Sequence, residues 1–511
     1  VHGAFSWQPL VDYRLAGKPG YRQAACSLAG AILIGVVIQV SCRFTTRRLN
    51  RRKFMASATG IAAGAVVCVS DRSLRADTRQ ITPRVLYRNF QGWGTSLAWW
   101  AHIVGAFPAH IRKQYLNNIF DVDHGLGLTV ARYNIGGGEN PKYHFLTRRA
   151  AIPGYAPHPP YFNWAADRNQ RLILHECMAM GVNQVQAFSN SPPWYMTISG
   201  SVTGGKKGAD NLQPKCFQSF ADYLAIVVAH FSRVWNVRFQ TVEPFNEPVS
   251  YWWKFGGRQE GCRIGNREQN IIIPLLHQSL RNHGLATEIA APDDNAVNQT
   301  IQSFQSYGKS VRREVAQIDT HSYHGHGRQE LRRLASAAGK RLWMSEYGDG
   351  DETGMTMARR IIKDIRELQP QAWVYWQVVD GPGWGMMVND ENGRDMAFRV
   401  TEKYHVMAQF SRYIRPGDWI MDTTGECMAS YRHHKKILTI VAVNSGDSMA
   451  RLSFNLQGFR VYPHAVQTCM TDRRHRLARG AEQRWRNRQF DTTIPPEAVK
   501  TWIFNDCHLE D

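Results

Sequence analysis

The sequence predicts an α/β protein, a (β/α)8 TIM barrel with a packed C-terminal β-sandwich domain, and three observations carry that prediction. Eight short β-rich segments follow one another between residues 89 and 381: NFQGWGTS, LTVARYNIG, VNQVQAFSNS, FQTVEPFNEP, TEIAAPDD, AQIDTHSYH, KRLWMSEYG and AWVYWQVVDG. Between them lie segments with apolar residues at helical spacing, among them AHIRKQYLNNIF, CFQSFADYLAIVVAHF, IIIPLLHQSLRNHG and MARRIIKDIRELQ. From about residue 400 the pattern becomes a two-residue alternation bounded by Gly, Asn and Asp, in ILTIVAVNS, ARLSFNLQG, HAVQTCMTD and VKTWIFND. Eight strand and helix alternations close a parallel barrel whose site lies at the carboxyl ends of its strands. No repeat or low-complexity linker separates barrel from sandwich, so the two are expected to pack together. The expected division is a leader at 1–76, an N-terminal strand joining the sandwich at 77–90, the barrel at 90–399 and the sandwich at 400–511.

Hydrophobic residues at 43%, aromatics at 11% and charged residues at 20% describe a globular chain with a sizeable core, and 16 tryptophans are its compositional oddity. The first 76 residues differ, with eleven Lys or Arg against Asp12 and Asp71 alone. Arg51-Arg52 are followed by Lys53, Phe54 and Met55, a modest apolar run, and SLRA at 73–76. This resembles a twin-arginine export signal cleaved after Ala76, so an exported protein, extracellular or periplasmic, is expected. The apolar run is too short and too rich in Gly and Ala for a firm bilayer anchor, so no stable membrane association is expected once the leader is gone. An earlier run, AACSLAGAILIGVVIQV at 24–40, is near the lower limit for a spanning helix, and residues 1–49 can equally lie upstream of the true start.

Without the leader 51 basic and 40 acidic residues remain, and the net charge falls from +20 to about +11. The basic residues are spread out, and the run TDRRHRLARGAEQRWRNR at 471–488 reads as a solvated face. Nucleic acid is therefore not an expected partner. Six cysteines remain, Cys177, Cys216, Cys262, Cys427, Cys469 and Cys507, with no CxxC pair and no zinc-type spacing. Disulfides are permitted by export and not required by it.

The segment EPFNEPVSYWWKFGGRQEGC, residues 243–262, holds three glutamates. FQTVEPFNEP is the fourth barrel strand, so Glu247 falls at the rim. Glu243 is expected about 13 Å deeper, at roughly 3.3 Å per residue, as a structural carboxylate paired with an arginine. Glu260 lies beyond the strand in a Gly-rich loop, where a support role is expected. The seventh strand, KRLWMSEYG, ends with Glu346 at the level of Glu247, with Leu342 and Met344 on the same face. Glycoside hydrolysis with retention needs two carboxyl groups about 5 to 5.5 Å apart, one to protonate the leaving oxygen and one to attack the anomeric carbon. Rim residues of strands four and seven face each other across the mouth, which makes Glu247 and Glu346 that pair.

At these residues the sequence resembles glycoside hydrolase family 30 of clan A, with NEP on strand four and SEYG on strand seven. GWGTSLAWWA at 92–101, ARYNIGGGENP at 131–141, FSNSPPWYMTISGSVTGG at 188–205, GGRQEGC and KYHVMAQFSRYIRPG at 403–417 are similar to its endo-β-1,6-galactanase branch. The likeness spans residues 85 to 505. It implies Glu247 as acid/base and Glu346 as nucleophile. It also implies that Asn246 binds the sugar 2-hydroxyl, that Arg132 at the end of strand two orients Glu346 and keeps it ionised, that Tyr323 on strand six contacts the nucleophile, and that Trp376 on strand eight forms the sugar floor. Ser201 stands where the family often carries a cysteine, which puts one family disulfide in doubt, and the long Arg-rich leader is unusual for it.

Aromatic faces stack on pyranose rings, which gives Trp93, Trp99, Trp100, Trp194, Trp252, Trp253 and Trp384 two competing roles, sugar platform and core. Trp93, Trp194 and Trp252 are the expected sugar contacts among them, with His321. His321, His324 and His326 invite a metal reading, but no carboxylate or cysteine at ligand spacing accompanies them, so a hydrogen-bonding wall is expected and neither metal nor cofactor. GGG at 136–138 lacks the order of a phosphate loop and is expected to let the second loop turn tightly.

The function these readings predict is a secreted, monomeric, retaining endo-glycoside hydrolase of a polysaccharide or oligosaccharide, β-1,6-linked galactan such as arabinogalactan side chains. Two alternatives stay open. One is a related family 30 activity on β-1,6-glucan, glucuronoxylan or a glycosylceramide, since galactose differs from glucose by one axial hydroxyl. The other is a non-catalytic carbohydrate-binding barrel, which the presence of both Glu247 and Glu346 argues against.

Overall fold

The computed structural model describes residues 77–461, 466–482 and 488–510, so the leader expected at 1–76 lies outside the described residues. Eight parallel strands form a closed ring: Gly92–Ser96, Val130–Asn134, Gln184–Phe188, Thr241–Glu243, Glu288–Ala290, Val315–His324, Arg341–Tyr347 and Ala372–Tyr375. Seven of the eight segments read from the sequence contain one of them whole, and AQIDTHSYH covers all of the sixth but Val315. The ring closes because Glu288–Ala290 pairs with the fourth strand on one side and the sixth on the other. A short continuation, Asp294–Ala296, rejoins the sixth strand at Asp294↔Thr320. The chain between carries Asp293, buried at the strand ends.

Helices cover the barrel because one face of each is apolar. Phe217–Arg233 buries Phe220, Leu224, Val227, Val228 and Phe231 at three- and four-residue spacing. It packs beside Asn266–Asn282, which buries Ile272, Ile273, Leu276 and Leu280. The helix expected over MARRIIKDIRELQ is regular over Met355–Lys363 and then widens into a π turn over Asp364–Leu368. Asp364 is buried there, accepting from Arg328 Nε at 2.7 Å, Ser322 Oγ at 2.8 Å and Trp373 Nε1 at 3.1 Å. Among the described residues no helix is long and apolar enough to cross a membrane.

Inside the barrel the layers run from apolar to charged. Val130, Trp343, Ala372 and Val374 form a small apolar cluster of their own, and Arg132, Gln186, Glu243, Asp319 and Ser345 are buried in the same strands nearer the rim. On the seventh strand, alternation sends Leu342 and Met344 outward into the helix-facing core and Trp343 and Ser345 inward. A register shift between Thr320↔Met344 and His321↔Glu346 then breaks that alternation. The bulge aims Glu346 inward as well, so Glu346 does not share the face of Leu342 and Met344 as the sequence predicted.

The second domain begins after a helix, Glu402–Ser411, that is wedged against the barrel. Its strand order, by residue, is 478–482, 466–471, 498–504, 437–444, 427–432, 419–423, 77–87, 450–455 and 489–494. Strand Asp77–Tyr87 joins the two layers: Asp77 to Gln80 run parallel to Leu452 to Asn455, and Ile81 to Tyr87 run antiparallel to Ile420 to Thr423. Phe454, Phe490, Trp502 and Phe504 fill the space between the layers. Barrel and sandwich lie in one compact unit, and Val441, Val443 and Val499 share the barrel's core cluster with Met407 and Phe410 of the wedged helix.

Candidate active site

The carboxyl ends of the strands bring Glu247, Glu346 and His321 together, with one ligand-type atom of each within 4.8 Å of the others. Regular pairing of the fourth strand stops at Glu243, and the chain then turns, so that Glu247 adopts a left-handed φ of 48° and its N–H donates to Asp293 O at 2.9 Å. Glu243 is a buried carboxylate paired with an arginine, and it and Glu346 meet the same guanidinium. Arg132 Nη2 contacts Glu243 Oε2 at 2.6 Å and Asp293 Oδ2 at 2.8 Å, and its Nη1 contacts Glu346 Oε2 at 3.1 Å. Its Nε donates to Gln186 Oε1 at 3.0 Å, and Nη1 also donates to Ser345 O at 3.1 Å. Five contacts hold this fully buried cation at the base of the site.

Glu346 is further oriented by Tyr323, whose hydroxyl donates to Oε1 at 2.9 Å. Glu247 is held on both oxygens. Trp252 Nε1 donates to Oε2 at 3.0 Å, and Asn295 Nδ2 donates to Oε1 at 2.5 Å. Trp253 Nε1 donates to the Glu247 carbonyl at 3.0 Å, fixing the strained turn. Asn246 is buried beside Glu247, and its Oδ1 has no hydrogen-bond partner among the described residues, nor has Nδ2 of Asn190 after the third strand. Such atoms are costly to leave unpaired and are available to hydroxyl groups entering the mouth.

The electrostatics divide the buried acids. Burial, then Asp293 and Asp319, push Glu243 well above the usual carboxylate range, and burial and Asp293 push Asp319 up to about 6. Glu243 and Asp319 lie in one buried acidic group, and the charge of Asp319 adds to the upward shift of Glu243. Burial also acts on Asp293, but His321 and Arg132 outweigh it and hold Asp293 below its ordinary value. Burial lowers His321, yet Glu346 and Asp293 raise it further, and the net direction is strongly upward. At Glu346 burial wins over His321 and Arg132, so its pKa is raised. Arg132 contacts Glu346 and, with His321, lowers the cost of ionising it, offsetting part of what burial adds. Desolvation of a carboxylate at the barrel mouth exceeds what two shared cations return.

The histidine reading also changes. His324 and His326 are exposed, whereas His321 is fully buried with Nδ1 3.1 Å from Glu247, and two carboxylates do accompany it in space. A protonated imidazole donates from both nitrogens and offers a metal no lone pair. The second acidic group, Glu243, Asp293 and Asp319, is bridged by Arg132.

Of the predicted aromatic contacts, Trp252 touches Glu247, and Trp194 is half-buried in a 3-10 turn after the third strand. Trp376 is half-buried at the end of the eighth strand, edge-on to Trp99 at 5.2 Å. Trp384 is half-buried 6.4 Å from Tyr323, and a Cβ on Gly348 would meet its ring at 2.7 Å, so glycine there lets the indole approach the rim. Trp93 is a correction. Its side chain points out of the barrel, 1% exposed, packed on Phe90, Trp373 and Phe410, with Nε1 donating to Ile414 O at 2.8 Å. Strand alternation puts it on the helix-facing side with Trp373, its partner in register.

Glu260 is fully buried and rigidly placed. Its Oε1 accepts from Gly137 N at 2.9 Å, and burial pushes it up to about 8. It ties the fourth loop to the tight turn at 136–138, where a Cβ on Gly137 would meet Pro192 O at 2.6 Å. Asn295, Asp293 and Asp319 are site residues that the sequence reading did not single out. The PDDN run at the end of the fifth strand, polar where a strand meets the rim, was the available signal for Asp293 and Asn295, and an acid within the apolar sixth strand was that for Asp319.

Two carboxyl groups converging at a barrel mouth, one against a guanidinium and a phenol, the other against an indole and an amide, form a site that can protonate one oxygen and deliver negative charge to the adjacent carbon. Comparison with known proteins agrees. Residues 77–319 match the sequence profile of O-glycosyl hydrolase family 30. The chain is 36% identical over 414 residues to an endo-β-1,6-galactanase of Hypocrea rufa, covering 77% of this chain and 86% of that protein. It is 27% identical over 440 residues to an exo-β-1,6-galactobiohydrolase of Bifidobacterium longum subsp. longum, covering 64% of this chain and 29% of that one. In fold it is similar to the catalytic domain of the family 30 xylanase C from Talaromyces cellulolyticus, with a TM-score of 0.67, 20% identity, and coverage of 84% of this chain and 100% of that one. The protein is a glycoside hydrolase, and it belongs to glycoside hydrolase family 30.

Proposed function

We propose that the protein is an exported, monomeric endo-hydrolase of β-1,6-linked galactan that works with retention of configuration, Glu247 as acid/base and Glu346 as nucleophile. The observation that carries the substrate is the 36% identity to an endo-β-1,6-galactanase over most of both chains. Retention is supported by the approach of the two carboxyl groups, whose facing oxygens lie within 4.8 Å. Retaining enzymes place their two carboxyl groups roughly 5 to 5.5 Å apart for direct attack, and a close approach of this kind supports that reading. Glu247 protonates the glycosidic oxygen as Glu346 attacks the anomeric carbon; the bond to the leaving sugar breaks, and a glycosyl ester forms on Glu346. Glu247, now ionised, then takes a proton from water, which displaces Glu346 and restores both groups.

Incubating the purified protein in parallel with β-1,6-galactan, β-1,6-glucan and glucuronoxylan tests the reading. A ladder of oligosaccharides from galactan alone, with the β anomer appearing first by NMR, is expected. Turnover of glucuronoxylan or glucan in place of galactan would overturn the substrate, and an initial α anomer would overturn retention. A single disaccharide product from the first minutes would assign exo action instead.

A further inference from the structure

A cleft of about 630 Å³ lies on the outer side of the barrel, between the helix Met355–Lys363 with its following π turn and the sandwich hairpin turn at Gly425-Glu426. Five cations line it: Arg359, Arg360, Lys363 and Arg366 from the helical segment and Arg79 from the N-terminal strand. Against them stand two carboxylates, Glu367 and Glu426. The helical cations fall three and four residues apart, so they form one stripe. Like charges at that spacing cost an isolated helix roughly 0.2 to 0.5 kcal/mol per pair. The macrodipole offsets part of this for Arg360 and Lys363 in the last turn, but it does not account for Arg79 arriving from another element.

The base of the cleft is built. Arg366 Nη1 donates to Gly425 O at 2.5 Å, and Arg360 lies over the Tyr347 ring at 5.2 Å with Nη1 3.5 Å from Ser322 Oγ. Arg359 and Lys363 are exposed at the lip, Arg359 in a loose contact with Glu426 at 3.5 Å. Held guanidinium groups below and exposed cations above present donors to planar anions, and a volume in the range of roughly 300 to 1,000 Å³ is that of a small-ligand site.

We propose that this cleft is a second, non-catalytic binding site that holds the carboxylate groups of an acidic polysaccharide. One feature favours that ligand over nucleic acid: the two glutamates in the lining repel a backbone carrying a charge every ~1.7 Å while tolerating a chain with sparser uronate groups. The site lies apart from the catalytic mouth, so the inference goes beyond the galactan reading and does not depend on it.

Fluorescence anisotropy of the full chain with a labelled oligogalacturonide tests it, beside the methyl ester of that oligosaccharide, a sulfated dextran oligosaccharide and a DNA duplex. The double variant Arg359→Gln/Lys363→Gln is compared with Arg473→Gln/Arg474→Gln, which makes the same charge change on the sandwich. The cleft variant is expected to bind the oligogalacturonide about tenfold or more weakly. The sandwich variant is expected to bind as wild type, the methyl ester not to bind, and both variants to keep wild-type hydrolysis of a neutral substrate. Equal loss in the two variants, or no loss in the cleft variant, would overturn the site. A cleft-dependent preference for the sulfated or DNA probe over the oligogalacturonide would overturn the ligand.

Discussion

The His321 ring stands 3.5 Å from the carboxylate of Glu346, with the same nitrogen 3.1 Å from Glu247 and the opposite nitrogen 3.2 Å from Asp293. A buried imidazole among three carboxylates stays protonated, and it lowers the cost of ionising Glu346 in a desolvated mouth. Glu346 is nevertheless raised above its ordinary value of 4.5. Because the nucleophile must be ionised, the acidic limb of kcat/KM is expected above pH 4.5, activity falling as pH drops through the raised pKa. His321→Asn removes a cation, so it raises that pKa further and moves the limb to higher pH. A pH-rate profile of both proteins measures the shift, and a limb that stays in place or moves down would show that the ring carries no charge.

Asn295 holds one oxygen of Glu247 while Trp252 holds the other. Removing one partner of a buried polar group costs about 1 to 3 kcal/mol, so Asn295→Ala is expected to lower kcat by roughly 5- to 100-fold. Glu247 then samples other rotamers and is seldom aimed at the glycosidic oxygen. An activated aryl glycoside, whose departure needs little protonation, is expected to lose less. Equal losses on the activated and the natural substrate would assign Asn295 to the fold and not to the acid/base.

Stability should fall as pH rises from 6.5 to 8.5. Burial raises Asp167 and Asp294 to about 7 and Glu260 to about 8, and His321 is raised as well. In this window the native chain holds protons that the unfolded chain has released, so the slope of unfolding free energy with pH is negative. Histidines with lowered pKa, such as His102 and His405, oppose this trend only below about 6.5, where the unfolded chain binds protons and the native chain does not. Thermal melts across the window check the sign, and a midpoint that rises towards pH 8.5 would show these acids to be ionised in the fold.

Barrel strands were legible because each is a short apolar run bounded by turn residues, and the helices between them carry one apolar face. Glu247 and Glu346 were legible as strand-end acids beside aromatics. In the layer beneath them an arginine partner for Glu243 was legible, but Asp293, Asp319 and the sharing of Arg132 were not. Which acid meets Arg132 depends on where the fourth strand stops and on the bulge at Ser345-Glu346, and neither leaves a mark in a two-residue period. Trp93 failed for a related reason: proximity to a strand end favours a sugar contact, but side is set by alternation, and residue 93 faces out. The sandwich strands at 419–423 and 427–432 were not read because WIMDT and CMASYR are too short and mixed to show a period, and pairing with Asp77–Tyr87 and Ile437–Asn444 is what makes them strands.

Three glutamates meet around Arg132 and His321, and amide substitution separates them by charge state. Burial, Asp293 and Asp319 raise Glu243 well above the usual carboxylate range and favour its neutral form, so Glu243→Gln replaces a carboxyl group with an amide of nearly the same shape. Arg132 keeps Asp293 and Glu346 as partners, and its charge stays paired. Glu243→Gln is therefore expected to fold and to retain activity within about tenfold of wild type, which is less than ~1.4 kcal/mol. Glu346→Gln cannot attack the anomeric carbon and is expected to lose roughly 10³-fold or more in kcat. Glu247→Ala keeps the attacking group but lacks the acid and the later base, so an activated substrate still forms the glycosyl ester, and azide then speeds its breakdown to a β-glycosyl azide. Azide is expected to rescue neither Glu346→Gln nor any deficit of Glu243→Gln. Kinetics with and without azide, with NMR of the product, read all three. If Glu243→Gln is as inactive as Glu346→Gln and azide restores it while Glu247→Ala stays dead, the acid/base is Glu243 and the turn after the fourth strand has been given the wrong role.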